Sequence, residues 1–294
     1  MRVLVTDADS PLAQALLPAL CSRSGIDGVT GFALRPPAFV HASFRALRAD
    51  YRDPAAASML PGHDVLLHLA QRGGSIGADG VALDAAVRPV HRFFHAAYDA
   101  GISRLIHLST AAVYGAAIHA SEQAPLRPLP GFRYAEEQAH LEQLLEIDFP
   151  ACARLRPHLV VGPHAHAAVK RFLRQPFYPR VDEPQPLFQC VHEDDLVSAI
   201  LRCLEPDARG AYNIATEDSV SLRDAIRARH WLAFGLAPLA ARRALDIANR
   251  FLKADIDPVW LDRAGRTLLV NCRRALIELN WRRRYTAREA LAAT

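Results

Sequence analysis

The stretch Val3 to Leu17, VLVTDADSPLAQALL, runs an apolar strand through a short polar turn into an apolar-periodic helix. A β-turn-α unit of this kind gathers backbone N–H groups and the positive end of a helix at one point. That is the physical basis of anion binding and, when glycines line the turn, of close approach to a dinucleotide pyrophosphate. The glycines are missing, and the positions of a G-x-x-G-x-x-G pattern hold Asp7, Ser10 and Ala13. Asp7 and Asp9 can satisfy the helix dipole themselves, by typically 0.3 to about 1 kcal/mol each, whereas the small Ser10 and Ala13 keep the turn tight. Ser10 caps the helix and Pro11 takes its first position, where a missing N–H costs nothing.

Three further groups have residue types suited to chemistry. His192-Glu193-Asp194-Asp195 reads either as an acid/base or metal cluster or, the reading preferred, as a helix N-cap with first-turn carboxylates. His164 and His166 alternate after Gly162-Pro163 but lack a third ligand, so no metal site is read from them. Arg282, Arg283 and Arg284 can meet a substrate diphosphate or form a solvated basic face.

The elements that position these groups alternate strand and helix through the first half, which points to parallel βαβ units. Expected strands cover Val3 to Val5, Gly28 to Leu34, Phe44 to Leu47, Val65 to Leu69 and Arg104 to Leu108. A helix follows Asp53-Pro54, another runs from about Leu83 to Ala100, and a third from about Tyr134 to Glu146. The Gly73 to Gly80 loop is mobile by composition, and a proline-punctuated loop leads to Gly131. In the second half, Ala153 to Val161, Phe188 to Val191 and Ala211 to Ile214 read as strands. From Ser221 onward the pattern is mainly helical, with an apolar stretch from Trp231 to Leu252. With 294 residues, 51% of them hydrophobic, the chain can bury a full core. A formal charge of +4 without a basic run disfavours nucleic acid as a partner. Five scattered cysteines without C-x-x-C spacing read as reduced, mostly buried thiols of a cytoplasmic protein. No signal-peptide pattern and no span of about 20 apolar residues is present.

At the fifth strand the residues become specific. HLSTAAVYG (His107 to Gly115), followed by Glu122, Pro125, Pro128 and Tyr134 at the head of a helix, resembles the active-site region of the extended short-chain dehydrogenase/reductases, the group of the nucleotide-sugar epimerases and dehydratases. DVLLHLA (Asp64 to Ala70), RLRPHLVVGP (Arg154 to Pro163), VHEDDLVSAI (Val191 to Ile200), GAYNIA (Gly210 to Ala215) and LNWRRRY (Leu279 to Tyr285) extend the similarity along nearly the whole chain. The resemblance implies an α/β fold: a Rossmann-type doubly wound parallel sheet over residues 1–162, then a mixed region, 163–294, with late core strands at about 188–214 and a smaller, mostly helical C-terminal substrate lobe.

It also implies hydride transfer with a nicotinamide cofactor and a tyrosine as acid or base. Carried over residue by residue, Thr110 hydrogen-bonds the substrate oxygen and Tyr134 exchanges the proton. The position of the family's lysine is Gln138, and its asparagine falls near Ala86. A phenol of unperturbed pKa near 10 is only about one part in a thousand ionised at pH 7, and a neutral amide cannot lower that pKa as a cation does. No tyrosine in the chain has a lysine four residues later. Cofactor contacts are implied for Asp7, Ser10, Pro11, Leu12, Arg35, Asp50, Tyr51, Leu69 and Ala70, and substrate contacts for Tyr114, His164 and His166. Asp7 and Asp9 repel a pyrophosphate. Arg35 after the second strand, with no acid beside it, favours NADP over NAD, with no cofactor as the alternative. Two readings stay open: a weakly active or atypical NAD(P)-dependent oxidoreductase or epimerase acting on a nucleotide-sugar or other hydroxy/keto substrate, and a catalytically inactive dinucleotide-sensing or regulatory protein. A small-molecule substrate is expected, with no integral membrane segment; a homodimer is left open.

Overall fold

The computed structural model describes residues 1–70, 82–181, 184–205, 207–228, 232–252 and 265–294. In chain order the first half contains β1 (Arg2–Val5), α1 (Pro11–Cys21), β2 (Gly28–Ala33), β3 (Phe44–Arg48), a 3-10 turn (Pro54–Met59), β4 (Val65–His68), α2 (Leu83–Asp99), β5 (Arg104–Leu108), a second 3-10 turn (Ala111–Tyr114), β6 (Ala117–Ala120), α3 (Arg133–Asp148) and β7 (Ala153–Pro157). There follow β8 (Leu159–Val161), α4 (Ala167–Arg174), β9 (Phe177–Pro179), β10 (Leu187–Phe188), β11 (Cys190–His192), α5 (Glu193–Arg202), β12 (Gly210–Ile214), β13 (Val220–Ser221), α6 (Leu222–Arg227), β14 (Phe234–Leu236), α7 (Pro238–Leu252), β15 (Leu268–Val270), α8 (Arg273–Glu278) and α9 (Ala287–Ala292).

Seven strands form one parallel sheet in the order β3-β2-β1-β4-β5-β7-β12. Side chains alternate across it as the pleat requires. Val3, Val5, Leu67, Ile106, Leu108 and Leu155 pack under α1 and α5, while Leu4, Leu66 and Leu105 pack under α2 and α3 with Phe93, Phe94, Leu141 and Leu145. Burial on both faces explains the near-continuous apolar strands of the sequence. This is the doubly wound α/β sheet expected from the sequence, with helices on both sides.

Two expected strands are each split between sheets. Ala153 to Val161 divides at Pro157-His158: β7 stays in the main sheet beside β12, and β8 pairs with β11. Pro157 has no N–H to extend the ladder, and His158 turns its backbone N–H to the Ile214 carbonyl and its Nε2 toward the Leu268 carbonyl. Phe188 to Val191 divides at Gln189, whose buried carboxamide donates to the Thr216 carbonyl and accepts from the Val270 N–H. In the loop expected before Gly131, Ala117–Ala120 is a strand whose partner, β15, lies about 150 residues downstream. The stretch after Trp231 is not one helix: Phe234–Leu236 pairs with Phe177–Pro179, and α7 starts at Pro238, burying Ala241 and Leu245 in the C-terminal core. The segment after Asp53 is a 3-10 turn. Trp231 and the Gly73 to Gly80 loop lie outside the described residues. Among those described, no helix is long and apolar enough to cross a membrane.

The turn after β1 sits unusually close to β2. Ala8 donates its N–H to the Phe32 carbonyl, and a Cβ at Gly31 would lie 2.5 Å from the Ala8 Cβ. Gly31→Ala therefore forces the turn outward, at a cost of about 1–3 kcal/mol typical of overpacking; thermal or urea denaturation should register it, and an unchanged midpoint would show that the turn yields freely.

Candidate cofactor crevice and active site

In the main sheet the strand order reverses between β1 and β4, so the ends of these two strands open the crevice in which doubly wound sheets hold ligands. Thr6 stitches the two ends together. Its N–H donates to the Leu67 carbonyl, while its hydroxyl accepts from the Leu69 N–H and bonds His68 Nδ1 at 2.9 Å. The next residue on each strand is left-handed: Asp7 has φ 50° and Ala70 φ 51°. Alanine in this region is strained by roughly 1–2 kcal/mol, and such strain concentrates at functional sites.

Within the opening turn, the helix cap is Ser10, whose hydroxyl accepts from the Ala13 N–H at 3.3 Å, with Pro11 at the first helical position. Leu12 points into the core. Asp9, expected to serve the helix dipole, has a further partner. Asp9 Oδ2 accepts from the Arg35 N–H at 3.2 Å and from Arg35 Nε at 3.5 Å, tying the turn to the end of β2. Arg35 itself is 83% exposed. A cavity of about 300 Å³ lies here, lined by Ala8, Asp9, Gln14, Arg35, Pro37 and Phe39 among others. Of the remaining expected cofactor positions, Asp50 accepts from the Arg52 N–H, Tyr51 is buried edge-on to His68 with centroids 4.7 Å apart, and Leu69 and Ala70 are buried.

Beyond the crevice a polar ledge underlies α3. One rung of the sheet carries His68, His107 and Arg154 side by side on three strands, and the two imidazoles stack with centroids 5.4 Å apart. Burial lowers both imidazoles, His68 far below its ordinary value and His107 to about 4, so both are neutral. Glu142 on α3 accepts from Ser109 Oγ at 2.5 Å and from Arg156 Nε and Nη2 at 2.6 to 3.0 Å. Burial alone would raise this carboxyl; the Arg156 guanidinium, with Ser109 and His107, outweighs it and holds the carboxyl below its usual range. Arg156 also donates to the Tyr114 hydroxyl at 2.6 Å and to the Glu122 carbonyl, and Tyr114 donates to Asn213 Oδ1 at 2.8 Å.

Thr110 and Tyr134 stand at the starts of two elements that pack on each other. Thr110 follows β5 directly and caps the 3-10 turn, accepting from the Ala112 N–H at 3.2 Å. That turn packs on the first turn of α3, where Tyr134 lies with Phe132 and Ala135 against Ala112. Tyr134, Gln138 and Glu142 recur at four-residue intervals and share one helix face. Gln138 is buried facing His107, near enough to act on that imidazole but without a hydrogen bond of ordinary geometry. Ala86, at the asparagine position, lies in the first turn of α2.

The expected substrate residues are placed differently from one another. Tyr114 is buried, its hydroxyl engaged by Arg156 and Asn213, and burial pushes it up to about 12. It supports the turn from behind. His164 donates its N–H to Glu193 Oε2 at 2.8 Å and pairs through Nδ1 with Oε1 at 2.7 Å. Gly162, at φ 136°, makes room for that carboxylate, since a Cβ there would lie 2.9 Å from it. His166 is exposed and caps α4. His192 is the N-cap of α5, with Glu193, Asp194 and Asp195 in its first turn, as the capping reading expects. Asp195 accepts from Arg284 and Tyr285, and Arg283 pairs with Glu217, so these arginines knit the C-terminus to the core. The residues missed in the sequence were Thr6, His68, His107, Glu142 and Arg156; for those on or beside strands the available signal was a polar residue within an otherwise apolar run, and Glu142, on the polar α3, carried none.

The neutral imidazoles fix the sign of the pH response. Between pH 6.5 and about 4 the unfolded chain binds a proton at His107 that the folded chain refuses, so stability falls as pH falls through that window. His107→Phe, which keeps a ring beside His68, should flatten the slope of unfolding free energy against pH there; an unchanged slope would place the proton uptake elsewhere.

Comparison with known proteins places this architecture in context. The model of the NAD dependent epimerase/dehydratase family matches residues 12–215. The uncharacterized protein Rv0501 of Mycobacterium tuberculosis is 24% identical over 270 residues, covering 83% of this chain and 69% of that protein. The fold is similar to that of MoeE5 in complex with UDP-glucuronic acid and NAD, at 23% identity, TM-score 0.75 and coverage of 100% and 97% of the two chains. It is also similar to the dTDP-glucose 4,6-dehydratase DesIV of Streptomyces venezuelae with NAD bound, in a double-mutant form, at 21% identity, TM-score 0.78 and coverage of 100% and 95%. With the family match covering more than half of the chain, from α1 through β12, the chain belongs to the NAD dependent epimerase/dehydratase family.

Proposed function

We propose that the chain binds a nicotinamide dinucleotide, NADP in preference to NAD, across the ends of β1 and β4. In this reading it acts as an atypical oxidoreductase or epimerase-like enzyme on a nucleotide-sugar or other hydroxy/keto substrate. The observation that carries the reading is the crevice at the strand-order reversal, bordered by the left-handed Asp7 and Ala70, together with the packing, through Ala112, of the 3-10 turn that Thr110 caps on the start of α3, where Tyr134 lies. The relatives MoeE5 and DesIV hold NAD, and MoeE5 holds UDP-glucuronic acid. The fit differs along the crevice. At the adenosine end the exposed Arg35 suits a 2′-phosphate, with Asp9 its competing partner. At the pyrophosphate end Pro11 has no N–H and Ser10 takes that of Ala13, so fewer donors face an anion than in a glycine-rich turn.

When bound, the cofactor supplies a hydride acceptor or donor. The chain supplies the proton route: the Thr110 hydroxyl orients the substrate oxygen and the Tyr134 phenol takes or returns its proton. Gln138 cannot lower the phenol as a cation would, so turnover is slow. Its neutrality suits its setting, where Arg154 and Arg156 already face Glu142, and the only other acid on Arg154 among the described ion pairs is the mostly exposed Glu146. That buried amide also favours the second reading, a dinucleotide-binding regulator that does not turn its ligand over.

Calorimetric titration separates these readings. NADPH should bind more tightly than NADH, and Arg35→Ala should weaken NADPH about tenfold or more, the loss of a charge-assisted contact of roughly 1.5–3 kcal/mol, while leaving NADH unaffected. No binding of either at millimolar concentration would overturn both readings. Gln138→Lys should raise reductase or epimerase turnover while lowering the melting temperature, because it buries a third cation beside Arg154 and Arg156 with Glu142 the only buried acid paired to them among the described residues. If dinucleotide binds and turnover stays at zero with lysine in place, the regulatory reading stands.

A further inference from the structure

On the outer face of α2 and α3, away from the crevice, two imidazoles and a carboxylate converge. His91 and His95 stand four residues apart on α2, so their rings project from one face, and Asp148 is the last residue of α3. His91 Nε2 lies 2.7 Å and His95 Nε2 3.2 Å from the same Asp148 Oδ2. The two rings meet edge-on with centroids 4.7 Å apart, and one ligand atom from each residue falls within 4.8 Å of the others. The three side chains are 18%, 47% and 34% exposed, held from one side and reached by solvent from the other.

We propose that His91, His95 and Asp148 form a binding site for a divalent cation of the zinc class, with a fourth position left to water. Two imidazole nitrogens and one carboxylate oxygen are a donor set zinc accepts, whereas calcium and magnesium take oxygen ligands almost exclusively. Metal–ligand bonds of 2.0–2.2 Å in a tetrahedron set the donors about 3.4 Å apart, so the present arrangement needs only small side-chain rotations to receive an ion. His95 is steadied by Phe149, whose ring lies 4.8 Å from it centroid to centroid. The setting also favours positive charge. Asp148 stands at the carboxyl end of α3, where the helix dipole is negative and a second negative charge is unfavourable. The chain runs from the ends of α2 and α3 into the starts of β5 and β7, so the site lies at the edge of the sheet opposite the crevice. An ion there joins two helices and takes no part in the chemistry of the crevice.

The test uses the full chain, stripped with a chelator and freed of any histidine tag, titrated with Zn²⁺ by calorimetry and with Co²⁺ by visible absorption. One equivalent should bind, Co²⁺ should give the intense bands of a tetrahedral site, and Zn²⁺ should raise the melting temperature. His95→Ala, at an exposed position, and Asp148→Asn should each weaken Zn²⁺ by at least the 10- to 100-fold that loss of a mere outer partner costs, with the metal-free melting temperature showing that each variant folds. His166→Ala, remote from the cluster, should bind as the parent does. Absence of saturable binding, or Zn²⁺ affinity unchanged in both His95→Ala and Asp148→Asn, overturns the proposal.

Discussion

The buried pairing of Glu142 with Arg156 is the contact on which the active region depends. It joins α3 to β7, takes Ser109 at the end of β5 as a third partner, and through Tyr114 and Asn213 reaches β12. Ion pairs of this kind add little net stability, because desolvating both charges offsets their attraction; breaking one by losing a partner costs about 3–5 kcal/mol. Their value is positional. Thr110 is adjacent to Ser109 and Tyr134 lies two turns before Glu142, so the same pair sets where the hydroxyl and the phenol stand relative to each other. The small sheet is tied in as well, since Asn213 donates to the carbonyls of Ala120 and Asn271.

The crevice is organised by a weaker device. Thr6 fastens β1 to β4 with one hydroxyl, and Asp9 fastens the turn to β2 through Arg35. The first lies in the interior, where satisfied hydrogen bonds are rigid. The second is an ion pair with an exposed arginine, worth about 0–1 kcal/mol, and is easily exchanged for another partner of Arg35. The backbone frame of the crevice is thus fixed while the Arg35 side chain can exchange partners.

Features encoded by neighbours in the chain were legible in the sequence. Ser10-Pro11 opening α1, His192 capping α5 and the alternation of strand and helix all rest on local rules of capping and periodicity. What escaped depends on partners far apart in sequence. An apolar run carries no label for its sheet, so the divisions at Pro157 and Gln189 appear only once β12 and β15 compete for them. Asp9 and Arg35 are both visible as charges, but their pairing spans 26 residues and is not marked by either residue alone. Arg154 and Arg156 did leave a trace, two arginines alternating on a strand with no solvent face, which demand a buried acid.

That demand bears on the missing lysine. Position 138 lies one turn from Glu142 on the same face of α3 and looks onto His107, in a region where the guanidiniums of Arg154 and Arg156 already face Glu142, with the mostly exposed Glu146 a second partner of Arg154. Burial lowers both imidazoles of the rung, so Arg154 and Arg156 carry the positive charge of this layer. An amide at 138 keeps the helix face polar without adding to that charge. The amide at 138 and the rung of histidines and arginines thus belong to one buried layer, in which Glu142 and Glu146 balance the two guanidiniums and position 138 adds no charge.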